Sequence, residues 1–240
     1  MLRDLGVRPP ARQRLDAMLD VPERAVWLRA GLHRQQRRFA TLHEVGHDAL
    51  PWQREVLYFC SLFDLPPATQ REWELEASRF AAECLFLAGR FAAEADALPF
   101  GLPAAVRLAE RFDASYEAAF RHYVEHQDRP CCLVVARAAG GPGAAGAVPP
   151  APGYEATYYV ASPAAGFAVA PGRRFRLEDL GLGPDALRSP ERVAEHELRL
   201  GNAPGRRYFA QSCTTAYRLF TLLSPTPFPA ARPAAARPGT

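Results

Sequence analysis

Apolar residues in the first half of the chain recur at steps of three and four, the spacing that gathers them on one face of a helix. This spacing predicts a helix over residues 71–88, with Trp73, Ala77, Phe80, Ala81, Cys84 and Ala88 on its buried face. Another helix is expected from about Gln35 to Leu50, stopped there because Pro51 follows. Residues 103–127 read as two helices joined by a tight turn at Phe112–Ser115, with Ser115 as N-cap of the second and Glu117 in its first turn. Ahead of these, residues 1–24 are rich in Arg and Pro and carry a short helix at best, while Ala25–Leu28 is an apolar run that suits a strand. Residues 51–70 read as a connection, of a length that more often walls a cleft than links domains.

Beyond Pro130 the pattern changes. Cys132–Ala136, Ala156–Ala161 and Gly166–Val169 read as strands, residues 190–200 as a helix, and Tyr208–Ala210 and Tyr217–Leu223 as returns to a sheet. Residues 138–153 are almost entirely Gly, Ala and Pro, a flexible excursion between two of these runs. The expected organisation is therefore α+β: a helical part over residues 1–128, a β-rich module over 130–223 with an α/β character, and a disordered Pro-, Ala- and Arg-rich tail over 224–240.

Composition narrows the picture a little. At 240 residues, 48% hydrophobic and 10% aromatic, the chain can bury a sizeable core. Its net charge is only +3, and all 29 basic residues are Arg, which looks like a compositional habit more than a nucleic-acid surface. No charged and apolar leader opens the sequence and no apolar run approaches membrane-spanning length, so a cytoplasmic location is expected. The five cysteines, Cys60, Cys84, Cys131, Cys132 and Cys213, form no C-x-x-C pair and read as free thiols, Cys84 as an apolar filler. Cys60 is a minor candidate for thiolate ligation of a metal.

The chemistry sits in the first long helix, where His43-Glu44-Val45-Gly46-His47 spells H-E-x-x-H. Residues four apart share a helix face, so His43 and His47 can present both imidazoles to one Zn²⁺, with Glu44 beside them as a base. Two solvated histidines would give the same letters, so a third ligand decides the matter. The arrangement with its next ligand close behind the motif does not fit, because positions 50 and 53 are Leu50 and Gln53. The other arrangement takes a Glu from the next helix. Glu74, three residues before Ala77, falls on the buried edge of that helix, and Glu76 falls on its wetter side. A carboxylate on an apolar face needs a positive partner, which Zn²⁺ or an Arg can supply, and Glu76 stays open as the alternative ligand.

Arg38-Phe39-x-x-x-His43-Glu44-Val45-Gly46-His47, followed by Glu74-x-x-Ala77-x-x-Phe80-Ala81-Ala82, resembles the ImmA/IrrE family of metallo-endopeptidases. Matching residues run from about Val26 to Val135, just under half the chain. The resemblance implies a zincin-like catalytic core with helix-turn-helix-like helices. It assigns His43, His47 and Glu74 to the zinc and Glu44 to the role of catalytic base. Ser78 stands where the family usually has Asn, and the residues after Cys84 depart from its usual Leu-Leu-Met-Pro ending. Residues 25–28 become one candidate for an edge strand that holds substrate by strand addition, and Tyr58 a candidate oxyanion stabiliser, although a structural Tyr is the plainer reading.

A second motif, His122-x-x-Glu125-His126, spells the inverted zinc signature but lacks matching surroundings. It reads as exposed histidines at a helix C-terminus, with Glu195 downstream in a charged helix. The function implied is zinc-dependent cleavage of a protein, typically a helix-turn-helix repressor in a stress or mobile-element response. No direct nucleic-acid contact and no membrane are expected, since Glu117 and Glu125 against Arg121 equip the second helix poorly for phosphate. The rival reading is a regulatory protein that binds a repressor or DNA through the same core without proteolysis.

Overall fold

The computed structural model describes residues 16–58, 64–138, 153–166, 174–176, 194–199, 207–215 and 218–229. These fall into two compact units, one running to Phe91 and including Phe112–Ser115, the other formed by Ala92–Arg111 and the chain from Tyr116. The fold is α+β, with six helices and two antiparallel sheets among the described residues.

The first unit opens on a hairpin, β1 (Ala17–Asp20) paired with β2 (Ala25–Leu28) in the register Leu19 to Val26. The strand expected at 25–28 is present, and a strand also occupies 17–20, where only a short helix was expected. Helix α1 (Arg34–Ala49) follows the expected span within a residue at either end. Pro51 does not lead into a loop: with its missing N–H at N1 it starts a second helix, α2 (Pro51–Leu57). Helix α3 (Pro67–Leu85) likewise begins on a Pro, earlier than the apolar pattern alone indicates. It buries Ala77, Ala81 and Leu85, whereas Cys84 is exposed and Ala88 lies beyond the helix end.

Small residues set the spacing of α1 and α3. A Cβ on Gly46 would lie 3.1 Å from the Ala77 Cα, 3.2 Å from the Ala77 carbonyl oxygen and 3.2 Å from Phe80 Cδ1. Gly46 weakens its own helix, yet it lets two backbones approach closely. Gly46→Val therefore overpacks this crossing and should lower stability by about 1–3 kcal/mol. A thermal melt checks it, and an unchanged midpoint would show that the crossing has slack. At the far end of the unit, α4 (Gly89–Asp96) starts, and Phe86, Phe91 and Phe112 form a ring cluster with centroids 4.7–6.1 Å apart. Arg38 donates to the Phe112 carbonyl at 2.7 Å, and Arg34 pairs with Asp113 at 2.8 Å, which ties residues 112–115 to α1.

The second unit holds α5 (Leu102–Arg111), α6 (Tyr116–Glu125) and a six-stranded sheet. The strands are β3 (Cys132–Ala138), β4 (Gly153–Ala161), β5 (Arg174–Arg176), β6 (Ala194–Arg199), β7 (Arg207–Thr214) and β8 (Leu219–Ser224), in the order β5-β4-β3-β8-β7-β6. All pairs are antiparallel. Residues 194–199, expected in a helix with Glu195 and Glu197, form an edge strand instead. The expectations for residues 139–152 and 167–169, for Cys60 and for residues 230–240 of the tail lie outside the described residues, while at the start of that tail Ser224 ends β8 and Phe228 is buried against Phe100. The sheet's centre is largely apolar: Leu133, Val135, Leu222 and Leu223 are fully buried, Phe120 of α6 meets Phe220 edge to face at 5.1 Å, and the buried Ser212 and Thr221 hydroxyls bond each other at 2.9 Å. The Leu102 N–H at the start of α5 donates to Gln211 Oε1 of β7 at 2.8 Å, satisfying a helix-end donor that burial would otherwise orphan.

His122 is not an exposed, partly cationic residue at the end of α6. It is buried, and desolvation, aided by the neighbouring His126, holds its pKa down to about 4. A depressed folded-state pKa means that the unfolded chain takes up the proton first as pH falls. Stability at neutral pH should therefore be lost between about pH 6.5 and pH 4, by at most about 3 kcal/mol from this group. Melts of chelator-treated protein across that range test this, with His122→Gln expected to flatten the dependence.

Candidate metal centre

The candidate site lies within the first unit, where α1, α2 and α3 supply its side chains and β1 a backbone amide. His43 and His47 sit one turn apart on α1, and the close crossing at Gly46 and Ala77 brings Glu74 of α3 to face them. His43 Nε2 lies 3.2 Å from His47 Nε2 and 3.1 Å from Glu74 Oε2, and His47 Nε2 lies 3.7 Å from Glu74 Oε1. His43, His47 and Glu74 thus form a compact triangle of ligand atoms.

Both ring nitrogens on the far side have partners. The His47 Nδ1–H donates to Gln53 Oε1 at 2.6 Å, and His43 Nδ1 is 3.3 Å from the Ser78 hydroxyl. With Nδ1 protonated, an imidazole turns a lone pair outward from Nε2. Two lone pairs and a carboxylate converging at 3.1–3.7 Å repel one another, and a proton on one ring relieves only part of that. A divalent cation relieves all three edges together. Tetrahedral Zn²⁺, with Zn–N near 2.0–2.1 Å, holds its ligands about 3.4 Å apart, so the triangle matches the ion without rearrangement. The donor set of two imidazoles and one carboxylate suits Zn²⁺ and leaves a position for a water or a substrate oxygen.

The electrostatics agree with this geometry. In the metal-free chain a proton on Nε2 can bond the carboxylate in place of the ion, and such hydrogen bonds from His43 and then His47 pull the Glu74 carboxyl down to about 2, so it stays an anion. For His47, burial alone would lower the pKa, but hydrogen bonds to Glu74 and Gln53 and the charges of Glu44 and Glu74 outweigh it and raise the value. Burial pushes the Glu44 carboxyl up, opposed by the positive pull of His43 and His47 and reinforced by the negative charge of Glu74. The Leu19 backbone N–H of β1 donates to Glu44 and steadies it as an anion. A carboxyl raised in this way is a stronger base than a solvated one.

Several expectations need correction. Glu74 is not on a buried edge, for its side chain is 49% exposed, and its carboxylate nevertheless reaches both rings. Glu76 is the less exposed of the two and turns elsewhere: its Oε2 accepts from Gln53 Nε2 at 2.6 Å and from Trp52 Nε1 at 2.9 Å. Tyr58 is 58% exposed at the end of α2, beside Val21, Pro22, Arg24, Asp48, Arg54 and Glu55, not a buried structural Tyr. Three contributors escaped the sequence reading. Leu19 acts through its backbone, Ser78 was noted only as a departure from a pattern, and Gln53 was noted only as the wrong letter for a ligand. A polar residue two positions after a helix-starting Pro was the one available signal for Gln53.

The helix-turn-helix-like pair α5 and α6 lies in the second unit. Helix α6 buries Ala119, Phe120, Tyr123 and Val124, and its Glu117 accepts from the Tyr158 hydroxyl and pairs with Arg218 at 3.7 Å. Much of its surface is thus engaged by the sheet of its own unit. Among the described residues no helix is long and apolar enough to cross a membrane.

Residues 4–122 match the family described as Peptidase_M78, the IrrE N-terminal-like domain. No curated protein matches the chain by sequence. Among solved structures, a Mycobacterium tuberculosis transcriptional regulator is similar in fold, with a TM-score of 0.52 at 16% identity, over 92% of this chain and 74% of that one. The family match spans about half the chain and covers H-E-x-x-H, Glu74 and the helices that bring them together, and by it the chain belongs to the ImmA/IrrE family of metallopeptidases.

Proposed function

We propose that the protein is a zinc-dependent endopeptidase in which His43, His47 and Glu74 hold the ion and Glu44 is the general base. The observation that carries this reading is the triangle of ligand atoms at 3.1–3.7 Å, set beside a carboxyl whose pKa burial raises. When bound, the ion polarises the scissile carbonyl and brings the pKa of a water to about 7. Glu44 accepts the proton of the attacking water and delivers it to the leaving amine. The Leu19 amide keeps the Glu44 carboxylate oriented through both transfers. Gln53 and Ser78 hold the two rings from behind, and Glu74 contributes the negative charge that favours a cation between the rings.

The substrate class we infer is a DNA-binding repressor of helix-turn-helix type, in a stress or mobile-element response. Two features support a regulatory role: membership of the ImmA/IrrE family, and a fold shared with a protein named a transcriptional regulator. Profiling of protein N-termini in cells expressing wild type or His43→Ala tests it. New N-termini within a DNA-binding protein, present only with wild type, are the expected result. Their absence, together with a gel shift of generic DNA by the purified protein, favours the non-proteolytic reading.

A further inference from the structure

We infer that Gln53 and Glu76 are positioning residues that fix the tautomer and aim of His47, a role that rests on the reading of His43, His47 and Glu74 as metal ligands. Gln53 is completely buried in the first turn of α2, and a buried amide has to satisfy both of its ends. Its Nε2 faces Glu76 Oε2 at 2.6 Å and the Trp73 carbonyl at 3.4 Å. Both are acceptors, so turning the amide round would set its oxygen against a carboxylate and a carbonyl. The chemistry of the neighbours therefore dictates the orientation. Oε1 is left 2.6 Å from His47 Nδ1, and a carbonyl oxygen only accepts. The proton must sit on Nδ1, and the Nε2 lone pair is turned toward His43 and Glu74.

Glu76 anchors the other end. Trp52 Nε1–H donates to the same Oε2 at 2.9 Å, so the carboxylate is held between an indole and an amide. Every N–H in the series points toward Glu76: Trp52 and Gln53 donate to it, and His47 donates to Gln53. A carboxylate acting through an amide polarises the imidazole in the sense that makes Nε2 a better ligand, as a carboxylate bonded directly to a zinc-binding His does. His43 has no such support, because the Ser78 hydroxyl can either donate or accept and enforces neither tautomer. The two histidines are thus unequal: His47 is pre-set, and His43 adapts.

The test compares zinc affinities of the full chain, stripped of metal and titrated against a chromophoric chelator at mildly alkaline pH. In Gln53→Glu two carboxylates face each other beside the ring, and affinity should fall about 10–100-fold. Glu76→Gln alone keeps the hydrogen bonds, since its amide oxygen still accepts from Trp52 and Gln53, and loses only the charge behind them, so affinity should fall less than about tenfold. The double variant reverses the pair, with Glu at 53 accepting from His47 and from the amide at 76, and should recover to within about threefold of wild type. Melts of each metal-free variant report folding separately. Independently of any variant, nitrogen-15 correlation spectra of the metal-free wild type should show His47 as the Nδ1–H tautomer.

Unchanged affinity in Gln53→Glu, losses that add in the double variant, or an Nε2–H tautomer at His47 would each overturn the role. A wild type that takes up no zinc overturns the metal reading itself, and zinc uptake without any cleavage overturns only the peptidase reading.

Discussion

Replacing Glu44 with Gln should leave zinc stoichiometry and affinity close to wild type and lower the rate of peptide-bond cleavage about 10²–10⁴-fold. The amide keeps the shape of the side chain, and its oxygen can still accept the Leu19 N–H that holds Glu44 in place. What it loses is the ability to take up a proton. The effect should be on kcat, with substrate binding little changed, because proton transfer belongs to the transition state. The raised pKa gives a second signature. Activity of wild type should fall on the acid side as Glu44 becomes protonated, burial raising its pKa and a bound cation opposing that rise. Cleavage at wild-type rate by Glu44→Gln would remove Glu44 from the mechanism while leaving the metal site untouched.

The second large effect concerns Glu74. Glu74→Ala removes one of the three proposed ligand side chains and should weaken zinc binding by about three orders of magnitude, a third of the free energy typical of protein-bound zinc. The neighbouring acid is the control. Glu76→Ala should weaken binding by no more than about 10–100-fold, because Glu76 acts only through Gln53. Stability without metal separates the two again. Glu74→Ala takes away a carboxylate that two histidines lower to about 2, yet its side chain is half exposed, so solvent screens that interaction and folding should suffer little. If the two substitutions changed affinity equally, or Glu76→Ala more, the assignment would pass to Glu76.

How far the sequence could lead is clearest at this pair of acids. The H-E-x-x-H spacing and Pro51 located α1, and apolar spacing located the core of α3, because Ala77 and Ala81 pack at helical steps. It also nominated Glu74, three residues before Ala77, but for a reason the structure reverses. Glu74 is the more exposed acid, and it faces the histidines because the close crossing at Gly46 brings α1 alongside it. Periodicity describes one helix at a time, and the direction of a carboxylate depends on the second helix.

Other misses have the same origin. Pro51 was read as an end because a Pro cannot sit inside a helix, and it is equally suited to begin one, which is how α2 delivers Gln53 to His47. Residues 190–200 suited a helix, yet Glu195, Glu197 and Arg199 alternate with Ala194, His196 and Leu198 at the two-residue period of a strand, and 194–199 pair with β7. His122 looked solvated at a helix end because nothing local shows that α6 buries that side chain. Cys84 was the converse: it was placed on the apolar face, yet it is exposed while Ala81 and Leu85 take the buried positions.

The measurement that bears most directly on the account is an anomalous difference map, collected on either side of the zinc absorption edge from crystals grown with one equivalent of zinc. The account predicts a single peak within coordinating distance of His43 Nε2, His47 Nε2 and a Glu74 oxygen, at about 2.0–2.2 Å from each. A peak held by other side chains, or none at the two histidines, would contradict it.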